Sequence, residues 1–321
     1  MNKYFKFVIF FGIVSALFVF GPLIIPLPPL AGTQPVDELI YADSQFEEIH
    51  QIRIHTIRAG KGEKLILLLH GFGSSTYSWR KVMQSFSIYG TTIAYDRPAF
   101  GLTERLIPGE DLDFNPYTLD YQVELAAGLI EQQGSEQAVL VGNSAGGTVA
   151  IGTALKYPEK VKALILVDAA VYGGSGAPEW IKPMLNLPQF DRLGPIFVRT
   201  IEDRGLEILK MAWSDPNKIS YEDLENYQLP LKMEDWDRAL WEYTKVNGDH
   251  HFSEKLGNLT VPVLIISGND DQLIPVENSV RLANEIPHAQ LVIIPDCGHV
   301  PQEECPKEFI SAVEDFLKEN P

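Results

Sequence analysis

Ser144 stands between two glycines in the run Gly142-Asn143-Ser144-Ala145-Gly146, and a serine framed in this way has the makings of a nucleophile. The run joins a short apolar, β-branched stretch, Gln137 to Val141, to a small-residue stretch from Gly147 to Leu155 that reads as a helix packed close on a sheet. A sharp strand-to-helix turn holds its central residue at strained φ/ψ and leaves no room for side chains two positions away, so both positions call for glycine. The hydroxyl is thereby pushed out above the sheet, over a helix N-terminus whose amides and dipole favour negative charge. Such a serine can attack an acyl carbonyl once a base takes its proton.

In open α/β sheets ligands gather beyond the carboxyl ends of the strands, so polar residues just after apolar runs are the ones to weigh. His70-Gly71-Phe72-Gly73 follows the run ending at Leu69, and its glycines let a loop come close and present an amide. The backbone N–H groups of Phe72 and Ala145 would together form an oxyanion hole. Gly268-Asn269-Asp270-Asp271 follows Val263 to Ser267 and offers a carboxylate to orient an imidazole. His299 follows the run Gln290 to Ile294, and a group that titrates near ~6.5 suits a general base at neutral pH. Taken singly, these are a Gly-Ser turn, a loop and a structural histidine; together they run Ser, Asp, His along the chain.

The elements that must hold them are readable. From about Gln45 onward strand-like and helix-like segments alternate, with no internal repeat, which argues for an α/β fold with a mostly parallel sheet. Gln45 to Ile57 suits two antiparallel edge strands. Lys64 to Leu69, Thr91 to Tyr95, Ala138 to Val141, Ala163 to Val167, Val263 to Ser267 and Gln290 to Ile294 suit central strands. Tyr117 to Gln133 and about Glu303 to Lys318 are helical. Residues 171–257 break the alternation with helix-like pieces rich in Trp, Leu and Met, and read as a helical cap inserted in a core of residues 45–170 and 258–321. The cap tryptophans, Trp180, Trp213, Trp236 and Trp241, are expected in the core of the cap rather than against substrate.

The N-terminus departs from this pattern. Phe7 to Ile25 carries no charged residue over 19 positions, close to the ~20 that cross a bilayer as a helix. Residues 1–25 are therefore expected to be a signal anchor, with cleavage and secretion as the alternative, since no clean small-x-small site follows. Lys3 and Lys6 before the span, with Asp37, Glu38 and Asp43 after it, place the remainder outside the cytoplasm. Residues 26–44, rich in proline, are expected to act as a stiff extended spacer. The net charge of −17 excludes a nucleic-acid partner, because phosphate binding needs Lys and Arg patches that are missing here. Oligomeric state has no signature in the chain.

The order Ser, Asp, His, with G-x-S-x-G and an upstream HG loop, resembles the α/β-hydrolase superfamily over about Gln45 to Pro321. The resemblance implies Ser144 as nucleophile, His299 as base and acid, and Asp271 as the acid member, since Gly268, Asp271 and Pro275 fit the family spacing. Asp270 and Asp168 are the other carboxylates at strand ends, and some family members carry the acid where Asp168 stands. Asp96-Arg97-Pro98-Ala99-Phe100-Gly101 is similar to the family loop D-x-P-G-x-G, with Ala99 where glycine is usual, and is expected to brace the pocket. The resemblance calls for no metal and no organic cofactor. Cys297 and Cys305 bracket His299 and either bridge in an exported domain or remain two thiols.

Serine at the turn sets the chain apart from haloalkane dehalogenases and epoxide hydrolases, which use aspartate there. Among capped serine members the broadest reaction is hydrolysis of a small or medium apolar carboxylic ester through an acyl-enzyme. The alternatives are lactonase or haloperoxidase chemistry and hydrolysis of carbon-carbon bonds in ring-cleavage products. That last group shares the wording Gly-Asn-Ser-x-Gly-Gly but often carries Trp where this chain has Val300. A reading of another class is a catalytically silent fold that serves as a binding module.

Overall fold

The computed structural model describes residues 3–109, 112–172, 180–248 and 250–320. Eight strands form one sheet in the order β1-β2-β4-β3-β5-β6-β7-β8. β1 (Ser44–Ile49) and β2 (Ile52–Ala59) form the antiparallel edge, and β2 pairs antiparallel with β4 (Thr91–Tyr95). From β4 the pairing is parallel through β3 (Leu65–Leu69), β5 (Ala138–Asn143), β6 (Val161–Val167), β7 (Val263–Gly268) and β8 (Gln290–Ile294). The fold is the α/β-hydrolase fold expected from the sequence.

Successive side chains of a strand point to opposite faces. Leu67, Leu140, Leu164 and Ile265 therefore bury one face, against Val123 and Leu129 of α3 (Leu119–Gln132) and Val149 and Ile151 of α4 (Ala145–Lys156). Leu68, Val141, Ile165 and Ile266 bury the other, against Phe86 of α2 (Met83–Phe86) and Phe309 and Phe316 near the C-terminus. Cover on both faces is why the central strands read as unbroken apolar runs.

Between β6 and β7 the described residues form helices and no strand: α5 (Lys182–Leu185), α6 (Pro188–Val198), α7 (Ile201–Met211), α8 (Tyr221–Gln228) and α9 (Trp236–Val246). Residues 173–179 and 249 of the expected cap lie outside the described residues. α8 starts at a capping box, in which Ser220 Oγ accepts from Asp223 N and Asp223 accepts from Ser220 N. Asp223 and Tyr227 fasten α8 to the core, where Arg80 bonds both Asp223 and Glu303 and Tyr227 donates to Glu303. Trp213 and Trp241 are buried as expected. Trp236 is buried but also lines the cavity beside Ser144, and Trp180 is 73% exposed. The chain closes with α10 (Val276–Glu285), α11 (Pro301–Glu304) and α12 (Pro306–Glu319).

α1 (Lys3–Ile24) is long and apolar enough to cross a membrane, and almost none of it is buried. The segment that follows does not stand free as a spacer. Arg199 donates to Pro28 O at 2.9 Å, Leu30 packs in the cluster of Phe100, Trp236 and Leu240, and Gln34 N donates to Lys232 O at 2.7 Å. A proline-rich stretch has carbonyls without matching N–H donors, and here arginine side chains meet that demand.

Candidate active site

Ser144 sits where β5 meets α4, at φ 52° and ψ −121°, a region most L-residues avoid. Its N–H donates to Val167 O at 2.9 Å, and its carbonyl accepts from Gly147 N and Ala170 N at 2.9 and 3.1 Å. A Cβ on Gly142 would come within 2.6 Å of Gly146 O, and one on Gly146 within 2.1 Å of Leu69 O. Both flanking glycines are therefore fixed by backbone contact.

His299 follows β8, and its Nδ1 lies 2.6 Å from Asp271 Oδ2. Asp271 Oδ1 accepts from Leu273 N at 2.7 Å and Ile274 N at 2.9 Å, so both carboxylate oxygens are engaged and the group is fixed. A carboxylate at Nδ1 holds the ring proton there and leaves Nε2 as the basic nitrogen. Asn143 Nδ2 donates to His299 O at 3.0 Å, which ties the serine turn directly to the histidine loop.

The histidine loop is also held from the insertion. His299 N donates to Ala212 O at 2.7 Å, and Glu304 accepts from Gly298 N, Ser214 N and Asp215 N at 2.8 to 2.9 Å. Cys297 and Cys305 are joined in a disulfide that spans the loop. Glu303 and Glu304 escaped notice in the sequence, because acids in the first turn of a helix ordinarily face water beside its dipole. Here both are buried.

The two other carboxylates lie elsewhere. Asp270 Oδ2 accepts from Ser214 Oγ at 2.7 Å. Asp168 is fully buried and accepts from Ser267 Oγ at 2.6 Å and Gly268 N at 3.3 Å. Burial, and then the charge of Asp271, push its carboxyl well above the ordinary value. Polar atoms of Asp168, Asp271 and His299 lie within 4.8 Å of one another, close enough to hold a cation, although hydrogen bonds already engage these side chains.

The loop after β3 comes as near as its glycines allow: a Cβ on Gly71 would meet Asn143 Oδ1 and Ser144 Cβ at 3.1 Å. His70 within it is buried, and burial with the charge of Arg97 lowers its pKa to about 3. The neutral ring accepts from Arg97 N at Nε2, 3.0 Å away, and donates from Nδ1 to Gly71 O at 2.8 Å. Phe72 lines the same cavity as Ser144, and Ala145 follows the serine in the first turn of α4.

Asp96 accepts from Thr76 N, His55 Nδ1 and Leu102 N at 2.6 to 2.7 Å, so this loop braces others as expected. Ala99 sits at φ 75°. That conformation costs alanine about 1 to 2 kcal/mol, against about 0.4 to 1 kcal/mol for the extra freedom of glycine when unfolded. Ala99→Gly is accordingly expected to raise stability by about 0.5 to 1 kcal/mol in denaturant melts of unchanged slope. A lowered midpoint would contradict this.

Ser144 and His299 open on one cavity of about 490 Å³. Its walls are mainly apolar and include Phe72, Phe100, Leu206, Leu209, Trp236 and Leu240. Arg105 and Glu202 are its charged members among the described residues. Arg105 spends three of its five N–H groups, from its terminal nitrogens, on the carbonyls of Phe100, Gly101 and Thr103, and Nε has no partner.

A parallel sheet with polar turns clustered at its carboxyl edge, and helices inserted before the penultimate strand, is the architecture of an α/β hydrolase. The chain belongs to the alpha/beta hydrolase family, which it matches over residues 66–312. It is 29% identical to the 2-hydroxymuconate semialdehyde hydrolase of Pseudomonas sp. strain CF600, covering 84% of this chain and 91% of that one. It is 26% identical to a 2-hydroxy-6-oxononadienedioate/2-hydroxy-6-oxononatrienedioate hydrolase of Burkholderia vietnamiensis, over 85% and 93%. Among solved structures it is similar to a meta-cleavage product hydrolase from Pseudomonas fluorescens, at TM-score 0.67 and 26% identity over 86% and 98%. An esterase from Thermogutta terrifontis, at TM-score 0.69 and 23% identity over 87% and 99%, shares the fold.

Proposed function

We propose that this hydrolase works through Ser144, His299 and Asp271 on an uncharged carboxylic ester with an apolar acyl group. The observation that carries the reading is the cavity itself: Ser144 and His299 share one largely apolar chamber, with Asp271 fixed on the far side of the imidazole. Ser144 Oγ attacks the ester carbonyl as His299 Nε2 takes its proton, and Asp271 stabilises the imidazolium. The amides of Phe72 and Ala145 hold the developing oxyanion. His299 returns the proton to the departing alcohol, and water resolves the acyl-enzyme by the same route. No metal or organic cofactor enters this scheme.

The sequence relatives favour a second reading over the ester one, namely cleavage of a carbon-carbon bond next to a carbonyl in a ring-cleavage product. The products those relatives act on bear a carboxylate. Arg105 in the cavity wall spends three of its five N–H groups on carbonyls of its own loop, and its Nε–H and one Nη2–H remain for an acceptor such as a carboxylate. The largely apolar walls of the chamber favour an uncharged substrate, and on that ground we place the ester first.

The same reading takes α1 as a signal anchor, with its lysines inside and the remainder of the chain outside the cytoplasm. The test is turnover by the full chain of p-nitrophenyl esters of graded acyl length, set beside bleaching of a yellow 2-hydroxy-6-oxodienoate. Ester turnover alone is expected. Bleaching without ester turnover would move the assignment to carbon-carbon cleavage, and failure of a fluorophosphonate to label Ser144 would leave a silent binding module.

A further inference from the structure

α1 does not leave the protein as a free tether. Its last turns lie along α6, held by side chains that reach its backbone: Gln189 Nε2 donates to Val19 O at 3.0 Å, and Arg192 donates to Pro22 O and Ile25 O at 3.1 and 3.0 Å. Arg192 thereby satisfies carbonyls that a helix C-terminus leaves without partners. The contacts climb together, from Gln189 at Val19 through Arg192 at Pro22 to Arg199 at Pro28. α6 therefore runs alongside the exit of α1 in the same direction, with its N-terminal end at the deeper level. Val19 stands five residues before the end of α1 at Ile24, roughly 7 Å down the helix axis. If α1 crosses a bilayer, the start of α6 lies in that bilayer's outer boundary.

The side chains at that end suit the place. Trp180, Met184 and Leu187, just before α6, are exposed at 73, 41 and 46%. Tryptophan and apolar side chains beside arginine are the composition of a membrane interface. The cavity wall starts nearby: Ile201 of α7 packs in the same cluster as Leu30 of the segment leaving α1, and it lines the Ser144 cavity. Ile208, half-exposed on the same helix, lines the cavity too.

We infer that the edge of the insertion from Trp180 to the start of α6 is seated in the outer leaflet beside α1. It turns the Ser144 cavity toward lipid, so the ester it takes is a long-chain acyl ester dissolved in the bilayer. This rests on the anchor and ester readings above, and the test separates all three. The full chain is reconstituted in phosphatidylcholine vesicles, with or without bromine high on the acyl chains. Flotation with the vesicles reports the anchor. Among the chain's five tryptophans Trp180 alone is exposed, so bromine is expected to quench about one fifth of the fluorescence, and Trp180→Phe to abolish that loss. Quenching needs no turnover, so it reads the seating even if the ester reading fails.

Neither residue changed in Met184→Ser/Leu187→Ser lines the cavity. In vesicles it is expected to slow hydrolysis of a bilayer-dissolved long-chain ester at least fivefold and to leave a water-soluble short-chain ester unchanged. A chain that floats with Trp180 unquenched, whether facing water or covered by a second copy, overturns the inference and spares the anchor. A chain that does not float overturns both. Equal rates for the double variant and the parent on both esters overturn the lipid route.

Discussion

Ser144→Gly is expected to lose at least about 10⁴-fold in turnover and yet to unfold at higher denaturant concentration than the parent. Both effects come from one residue. The hydroxyl is the proposed nucleophile, and removing such a group leaves only what binding and the oxyanion donors supply. The backbone at φ 52° and ψ −121° is strained for any residue with a Cβ, at about 1 to 3 kcal/mol. It is held there by Val167 O, Gly147 N and Ala170 N, which over-determine the turn. Ser144→Ala separates the two effects: it is expected to be as inactive as the glycine variant, but without its gain of about 1 to 2 kcal/mol. Retained ester turnover in Ser144→Ala, with contaminating esterases excluded, would remove the serine from the mechanism. Equal melts for the alanine and glycine variants would show that the turn stores no strain.

Strain at the serine was legible in the sequence because its cause is local: two glycines and a strand-to-helix junction. The central strands were legible for a different reason, since burial on both faces leaves unbroken apolar runs such as Leu65 to Leu69. What stayed hidden depends on contacts distant in sequence. Glu304 reads as a solvated helix-start acid, yet it gathers three amides from Gly298, Ser214 and Asp215. Arg192 and Arg199 read as surface charges on amphipathic helices, and no periodicity says that the carbonyls of Pro22 and Pro28 lie opposite them. Trp180 and Trp213 look alike in composition, and only packing sends one to water and the other inside.

The pair of acids at the end of the sheet yields the second large effect. Asp271→Asn is expected to reduce turnover by about 10³ to 10⁴, because an amide at His299 Nδ1 no longer selects the tautomer with a free Nε2 and no longer balances the imidazolium. Asp168→Asn preserves an acceptor for Ser267 Oγ and is expected to leave turnover nearly intact, so the two carboxylates separate by rate. They also separate by stability. The Asp168 carboxyl is raised well above 3.8 in the fold, by burial and by Asp271, and so keeps a proton that the unfolded chain releases. Its contribution is fully present below pH 3.8 and is lost as pH rises toward the folded value, at about 1.4 kcal/mol per pH unit. The amide that Asp168→Asn introduces has no proton to lose, so the stability of that variant relative to the parent is expected to climb with pH across that window. Parallel stability curves for the two proteins would mean that Asp168 is ionised beside Asp271. The cluster would then hold two negative charges next to one imidazole, and the Asp271→Asn loss would be shared with Asp168→Asn.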